Sequence, residues 1–128
     1  MARTVVSTDK APKPAANIPL SQGVRKGNIL QVSGQTAVSP ETGKVVEGGV
    51  AEQTEQCLRN VIAILAAEGG SLEDVLMLRV YLTDTSQFAE MNETYARVVG
   101  APFPARTTVY VGLPAGLLVE IDALAVLD

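Results

Sequence analysis

Apolar and polar side chains alternate along six short segments of this chain and recur every three to four residues along two longer ones. Alternation with a period of two predicts strands with distinct faces. Residues 29–35 place Leu30, Val32 and Gly34 on one face, and Ile29, Gln31, Ser33 and Gln35 on the other. Residues 75–82 set Leu76, Leu78, Val80 and Leu82 against Met77, Arg79 and Tyr81. Residues 105–111 set Ala105, Thr107, Val109 and Val111 against Arg106, Thr108 and Tyr110. Residues 118–126 set Val119, Ile121, Ala123 and Ala125 against Leu118, Glu120, Asp122, Leu124 and Val126. Residues 3–7 and 21–25 are shorter strand candidates. The second runs into 29–35 through Lys26-Gly27-Asn28, where Gly and Asn accept the positive φ that a tight hairpin demands.

The two periodic segments predict helices. Over residues 50–68, Cys57, Leu58, Val61, Ile62, Leu65 and Ala66 form an apolar stripe, with Glu52, Glu55, Arg59 and Asn60 mostly off it. Gly48-Gly49 precedes this helix and Gly69-Gly70 ends it by a left-handed turn. After a turn at Ser71-Leu72-Glu73-Asp74 and the strand 75–82, Asp84-Thr85-Ser86-Gln87 starts a second helix. Its stripe carries Phe88, Met91, Tyr95 and Val98 or Val99, with Asn92 one position off it. Gly100 and Pro102 close it. The proline-rich run 11–19 is an extended connector, and Ser39-Pro40-Glu41-Thr42-Gly43-Lys44 is a surface turn.

This order of strand, strand, strand, helix, strand, helix, strand, strand predicts an α+β domain with one mixed sheet, occupying residues 1–128. Two helices cover one sheet face. Val109 and Tyr110 are adjacent yet point opposite ways, so the other face also carries apolar side chains. An apolar sheet face is rarely left in water, which predicts that further copies of the chain cover it in a closed homo-oligomer.

Composition narrows the function classes. Hydrophobic residues make up 47% of the 128, enough for a core, while aromatics are 4% with no Trp, so Val, Leu, Ile and Ala must fill it. Lys and Arg number 10 against 14 Asp and Glu, a net charge of −4. A nucleic-acid partner, which asks for a basic footprint, is disfavoured. There is no His, which removes histidine acid–base catalysis and the commonest metal ligand. The lone Cys57 sits in the helical stripe and reads as a small buried hydrophobe. The first residues lack the apolar core of a signal peptide, and no apolar run reaches membrane-spanning length. The expectation is a cytoplasmic protein with no membrane partner. P-loop, dinucleotide-fold, nucleophile-elbow and metal-spacing motifs are all missing, so no cofactor and no metal are expected.

The chemistry centres on two residues. Arg106 opens an otherwise apolar strand just after Pro104-Ala105. Consecutive strands usually pair, so Glu120 on the next strand would share a sheet with it. Two accounts fit: an anion-gripping guanidinium beside a carboxylate base, or a structural ion pair, and spacing alone favours the ion pair. Gly34 within a strand marks a bulge, a close approach of ligand to backbone, or a simple packing accommodation. Arg79 reads as an ion-pair residue.

Four motifs carry a resemblance. Ser33-Gly34-Gln35, Asn92-Glu93-x-Tyr95, Phe103-Pro104-Ala105-Arg106-Thr107 and Leu113-Pro114-x-Gly116-x-x-Val119-Glu120-Ile121-Asp122-Ala123 resemble the signatures of the Rid family, the reactive intermediate deaminases, also called YjgF or L-PSP proteins. The likeness runs from the connector near residue 11 to the C-terminus. It implies a chorismate-mutase-like α+β fold and a homotrimer with clefts between subunits. It also implies cofactor-free hydrolysis of 2-imino acids, such as 2-iminopropanoate or 2-iminobutanoate, to 2-oxo acids and ammonia. In that picture Arg106 grips the substrate carboxylate with a planar fork, and Glu120 orients or deprotonates water. The backbone of Thr108 contacts the imine nitrogen, Gly34 lets substrate approach the chain, and Ser33 and Asn92 line the pocket.

Two positions depart from the family pattern. Leu20 stands where many deaminases have Tyr, and Thr108 where many have Cys. Leu20 keeps an apolar wall without a hydroxyl. The competing functional account is a binding or chaperone-like protein that uses the same cleft without turnover. The endoribonuclease activity of older family labels fits the acidic chain and missing His least well.

Overall fold

The computed structural model describes residues 1–128. It contains strands β1 (Thr4–Val6), β2 (Gly23–Lys26), β3 (Ile29–Gln35), β4 (Val75–Leu82), β5 (Ala105–Tyr110) and β6 (Val119–Val126). Helices α1 (Val50–Ala66) and α2 (Phe88–Val99) lie between β3 and β4 and between β4 and β5. The β2–β3 hairpin turns at Gly27, whose φ is +60°, as the Gly-Asn pair predicts. The first helix ends as expected: Gly69 adopts φ +78° and the Gly70 N–H returns to the Leu65 carbonyl at 2.9 Å.

One mixed sheet has the order β1-β2-β3-β6-β4-β5. Every pair is antiparallel except β4–β5. That parallel pair follows from α2, because parallel neighbours need a crossover connection. It also corrects the expected pairing of β5 with β6, since β4 lies between them and bonds to both.

Both helices cover one face. There Leu30, Val32, Leu78, Val80, Leu82, Ile121 and Ala123 meet Cys57, Leu58, Val61, Ile64, Leu65 and Met91, all fully buried. Each large side chain so buried contributes about 1.5–3 kcal/mol, so packing against the sheet, more than helix propensity, holds α1 in place. The α1 stripe differs from expectation at three places. Ile64 is buried while Ile62 is only half-buried, Ala66 is exposed, and Asn60 is buried. The Asn60 amide donates to the carbonyls of Thr36 at 3.1 Å and Val38 at 2.9 Å, and so anchors the loop after β3.

Two register shifts re-aim side chains. In β4 the irregularity between Val75 and Met77 buries Val75 and leaves Leu76 56% exposed, against the simple alternation. In β3 the shift falls between Val32 and Gln35. Gln35 becomes buried opposite Ile121, and Gly34 turns to the face without helices, not to the face of Leu30 and Val32. A bulge adds one residue to the count, so every side chain beyond it swaps sides.

The helix-free face carries exposed Val5, Ile29, Val109 and Val126. It also holds the pair between Arg79 Nε and Asp122 Oδ1 at 2.7 Å, and the Tyr81 hydroxyl donates to Asp122 Oδ2 at 2.8 Å. The connector before β2 is tied down by buried Gln22. Its Nε2 donates to the carbonyls of Thr8, Ala11 and Pro12, and its Oε1 accepts from the Thr8 N–H at 2.7 Å. No helix is long and apolar enough to cross a membrane.

Candidate functional site

Register decides where the candidate residues stand. Arg106 lies opposite Leu78, which lies opposite Ala123. These are core-facing positions, so Arg106 and Thr108 look toward the helix side of the sheet at its β5 edge. Glu120 lies opposite Tyr81, which lies opposite Val109, all on the helix-free side. Within one chain, Arg106 and Glu120 therefore sit on opposite faces with β4 between their strands. They form neither an ion pair nor a shared pocket.

On the helix side, Arg106, Asn92, Tyr95, Ala96, Phe103 and Pro104 line a cavity of about 300 Å³. The half-buried guanidinium carbon lies 4.7 Å from the centroid of the Tyr95 ring and 5.7 Å from that of Phe88, within cation–π range. Arg25, Arg59, Arg79 and Arg97 each meet a carboxylate, but Arg106 meets none and donates to no protein acceptor. An unpaired, partly desolvated guanidinium is one prepared for an outside anion. Asn92 Oδ1, Tyr95 Oη and Thr108 Oγ1 are buried with no hydrogen-bond partner.

The helix-free side holds Glu120, Gly34, Ser33 and Leu20. Glu120 is half-buried and has no hydrogen-bond or ion-pair partner. Burial first, and the charge of Asp122 second, push its carboxyl above the usual carboxylate range. Its carboxylate packs directly over Gly34, where a Cβ would collide with Oε2. Of the accounts of Gly34, the bulge holds, and the group packed against its backbone is the Glu120 side chain. Leu20, 53% exposed, walls a cavity of about 250 Å³ with Pro12, Ile18, Gly34 and Thr36. The Ser33 hydroxyl is committed to the Ser21 carbonyl at 2.6 Å, so it fixes the strand rather than presenting a free donor.

A Gly34→Ala variant should push the Glu120 carboxylate aside. A displacement of about 1 Å at a reacting group costs on the order of 100-fold in rate. The measurement is kcat for the imine hydrolysis that the sequence resemblance implies, with circular dichroism as a fold control, and an unchanged kcat would show that Glu120 tolerates the shift.

Sequence reasoning undervalued Tyr95 and Phe88, which it placed in the core stripe. The usable signal was spacing, since Tyr95 follows Asn92 by three residues and so shares its side of α2. Cys57 is buried as expected. Its thiol donates to the Val119 carbonyl, and burial, then the charge of Glu120, raises its pKa, so it is no nucleophile. No cluster of His, Cys, Asp or Glu side chains is arranged to hold a metal ion.

Comparison with known proteins bears on this arrangement. The model of the family described as Endoribonuclease L-PSP matches residues 8–127. A RutC family protein of Pyrococcus abyssi is 45% identical over 126 residues, 98% of each chain. The 2-iminobutanoate/2-iminopropanoate deaminase of Bos taurus is 40% identical over 127 residues, 98% of this chain and 91% of that one. The crystal structure of E. coli TdcF with bound serine superposes with a TM-score of 0.88 at 36% identity, covering 98% of this chain and 99% of that one.

Proposed function

Because the chain belongs to the Rid (YjgF/L-PSP) family, we propose that it hydrolyses reactive 2-imino acids, and the enamines that tautomerise to them, to 2-oxo acids and ammonia in clefts between neighbouring copies. Relatives named as deaminases support the reaction class. One observation carries the residue roles: the unpaired guanidinium of Arg106 and the unpaired carboxylate of Glu120 look out from opposite faces of one sheet. A site that uses both takes Arg106 from one copy and Glu120 of the partner subunit. The apolar helix-free face supplies the surface that such a copy would cover.

In this cleft Arg106 clasps the substrate carboxylate with two parallel hydrogen bonds. Asn92 and Thr108 close the same side, with the Thr108 backbone on the imine nitrogen. Glu120 of the partner subunit takes a proton from water as its oxygen attacks the imine carbon. Glu120 hands that proton to the nitrogen, the adduct's hydroxyl proton follows as the C–N bond breaks, and ammonia leaves with the former water oxygen as the carbonyl. Atoms and charge balance without a cofactor. The substrate is intrinsically electrophilic, so holding water and imine together supplies most of the acceleration. Leu20 and Gly34 leave an apolar, side-chain-sparing wall beside Glu120.

The test is release of ammonia and 2-oxo acid from 2-aminoacrylate or 2-aminocrotonate generated in place by a dehydratase. No acceleration by the protein would overturn the proposal, and ligand binding without acceleration would leave the non-catalytic account standing. Cleavage of RNA by pure protein would revive the nuclease reading that the family's description names, against the net charge of −4.

The pH dependence follows from Glu120. A base must be ionised, so the rate should fall as pH drops through its raised pKa, above the ordinary 4.5. Asp122→Asn removes the neighbouring charge and should move this acid limb to lower pH. For stability the sign is opposite. A carboxyl with a raised folded pKa binds more protons folded than unfolded, so its contribution is present at low pH and is lost as pH rises through that pKa. Glu120→Gln should thus lose activity while melting no lower than wild type at neutral pH. A pH–rate profile and a thermal melt check both.

A further inference from the structure

Aromatic side chains are scarce in this chain, and they are unevenly placed. Of three Tyr and two Phe, all but Tyr81 stand on the Arg106 side of the sheet. Phe88 and Tyr95 stack on the guanidinium at 5.7 and 4.7 Å. The Phe103 ring centroid stands 6.4 Å from that of Tyr95, and Tyr110 lies opposite core-facing Leu82. Phenylalanine is among the residues most often buried, yet Phe103 is 53% exposed, and Phe88 and Tyr110 are exposed as well. A contiguous exposed apolar patch of this kind marks a binding surface.

Charge is placed just as unevenly. In the cavity of about 300 Å³, Arg106 is the one charged lining residue, and beyond the Asn92 amide the walls are Ala96, Phe103, Pro104 and the Tyr95 ring. A ligand held at Arg106 by its carboxylate therefore finds an apolar wall beside its remaining atoms, and no group there to pair with a second carboxylate. We propose that Ala96, Phe103 and Pro104 form the subsite for the substrate's side chain, so that the protein prefers imino acids with extended apolar side chains to those with a methyl or an acidic one. The inference rests on the reading of Arg106 as the carboxylate grip, and it names the substrate class of that site. Each methylene laid against the wall should raise kcat/KM about 4-fold. An acidic side chain of the same length would be desolvated there without a partner.

Amino-acid oxidases can generate the imines of alanine, 2-aminobutyrate, norvaline and glutamate in place, and the rate above spontaneous hydrolysis gives kcat/KM for each. The expected result is a rise of about 4-fold per carbon from alanine to norvaline, with the glutamate-derived imine well below the norvaline-derived one. Phe103→Ser should flatten the rise, lowering the norvaline-to-alanine ratio about 4-fold or more. Ala96→Lys, at an exposed helical position, should raise the glutamate-to-norvaline ratio about 5-fold by supplying the missing cation. The wild-type series and Ala96→Lys test the subsite independently of whether Phe103→Ser folds. Equal kcat/KM across the wild-type series overturns the inference, and so does a rise that persists in Phe103→Ser. A uniform loss for every imine in Phe103→Ser also overturns it, because the ring would then serve the fold or a neighbouring copy. If the wild type accelerates every imine equally, only this inference fails. If it accelerates none, the deaminase reading fails and this inference with it.

Discussion

Arg106→Ala is expected to lower kcat/KM for 2-imino acid hydrolysis by at least about 100-fold while leaving the fold intact. The magnitude follows from what the guanidinium gives a carboxylate. Two hydrogen bonds to a charged group contribute about 1.5–3 kcal/mol each, and each 1.4 kcal/mol is a factor of ten. The loss of stability should be small, because Arg106 has no carboxylate partner to strand and no protein acceptor. It gives up only stacking on Tyr95 and Phe88, worth about 0.5–1 kcal/mol for an accessible pair. Arg106→Lys keeps the charge but loses the fork, so it should recover only part of the activity. The measurement is the dehydratase-coupled assay over a range of substrate concentrations, with thermal melts of all three proteins. Full activity in Arg106→Ala would remove the carboxylate grip from the proposal, and a collapsed melt would mean that the residue is structural after all.

The sequence made the secondary structure legible because each element writes its own period. The alternation in residues 119–126 and the stripe through Cys57, Leu58, Val61 and Leu65 need no information from elsewhere in the chain. Strand order does need it. β5 and β6 are neighbours in sequence, yet β4 separates them, because a parallel β4–β5 pair bridged by α2 competes successfully with a local hairpin. The bulge in β4 was hidden for a related reason, and in β3 Gly34 offered a bulge as only one of three readings. A register shift is set by the partner strand, and it reversed the expected facing of Gly34 and Leu76. Polar side chains misled in one further way. Asn60 was placed off the apolar stripe, yet it is buried, as are Gln22 and Gln53. The Gln53 amide donates to the Gly116 carbonyl at 2.9 Å and accepts from the Leu118 N–H at 2.8 Å, and so braces the turn that leads into β6. The amide hydrogen bonds that make burial tolerable are formed with distant backbone, which no local pattern reveals. For the candidate site, residue types were legible and geometry was not. Arg106 and Glu120 each stood out by chemistry, but only the strand order shows them facing apart.

That separation yields the second large prediction. Mixing two inactive variants, Arg106→Ala and Glu120→Gln, should restore activity. In a cleft shared between copies, each site draws Arg106 from one chain and Glu120 of the partner subunit. An equal, random mixture gives each site an intact arginine half the time and an intact glutamate half the time, so about one quarter of the sites regain both. Neither variant alone can form a complete site. Were the two residues to act within one chain, every chain in the mixture would still lack one of them, and activity would stay at the level of the parents. The experiment requires exchange of subunits, by co-expression or by refolding the two variants together, and a control in which each is treated alone. Recovery near one quarter of wild-type activity supports a shared cleft and, with it, an assembly of at least two copies. Absence of recovery, with mixed assemblies shown to have formed, would refute it. The outcome does not depend on which imine is the physiological substrate, because it tests only how a sheet with its two charged groups on opposite faces can bring them to one molecule.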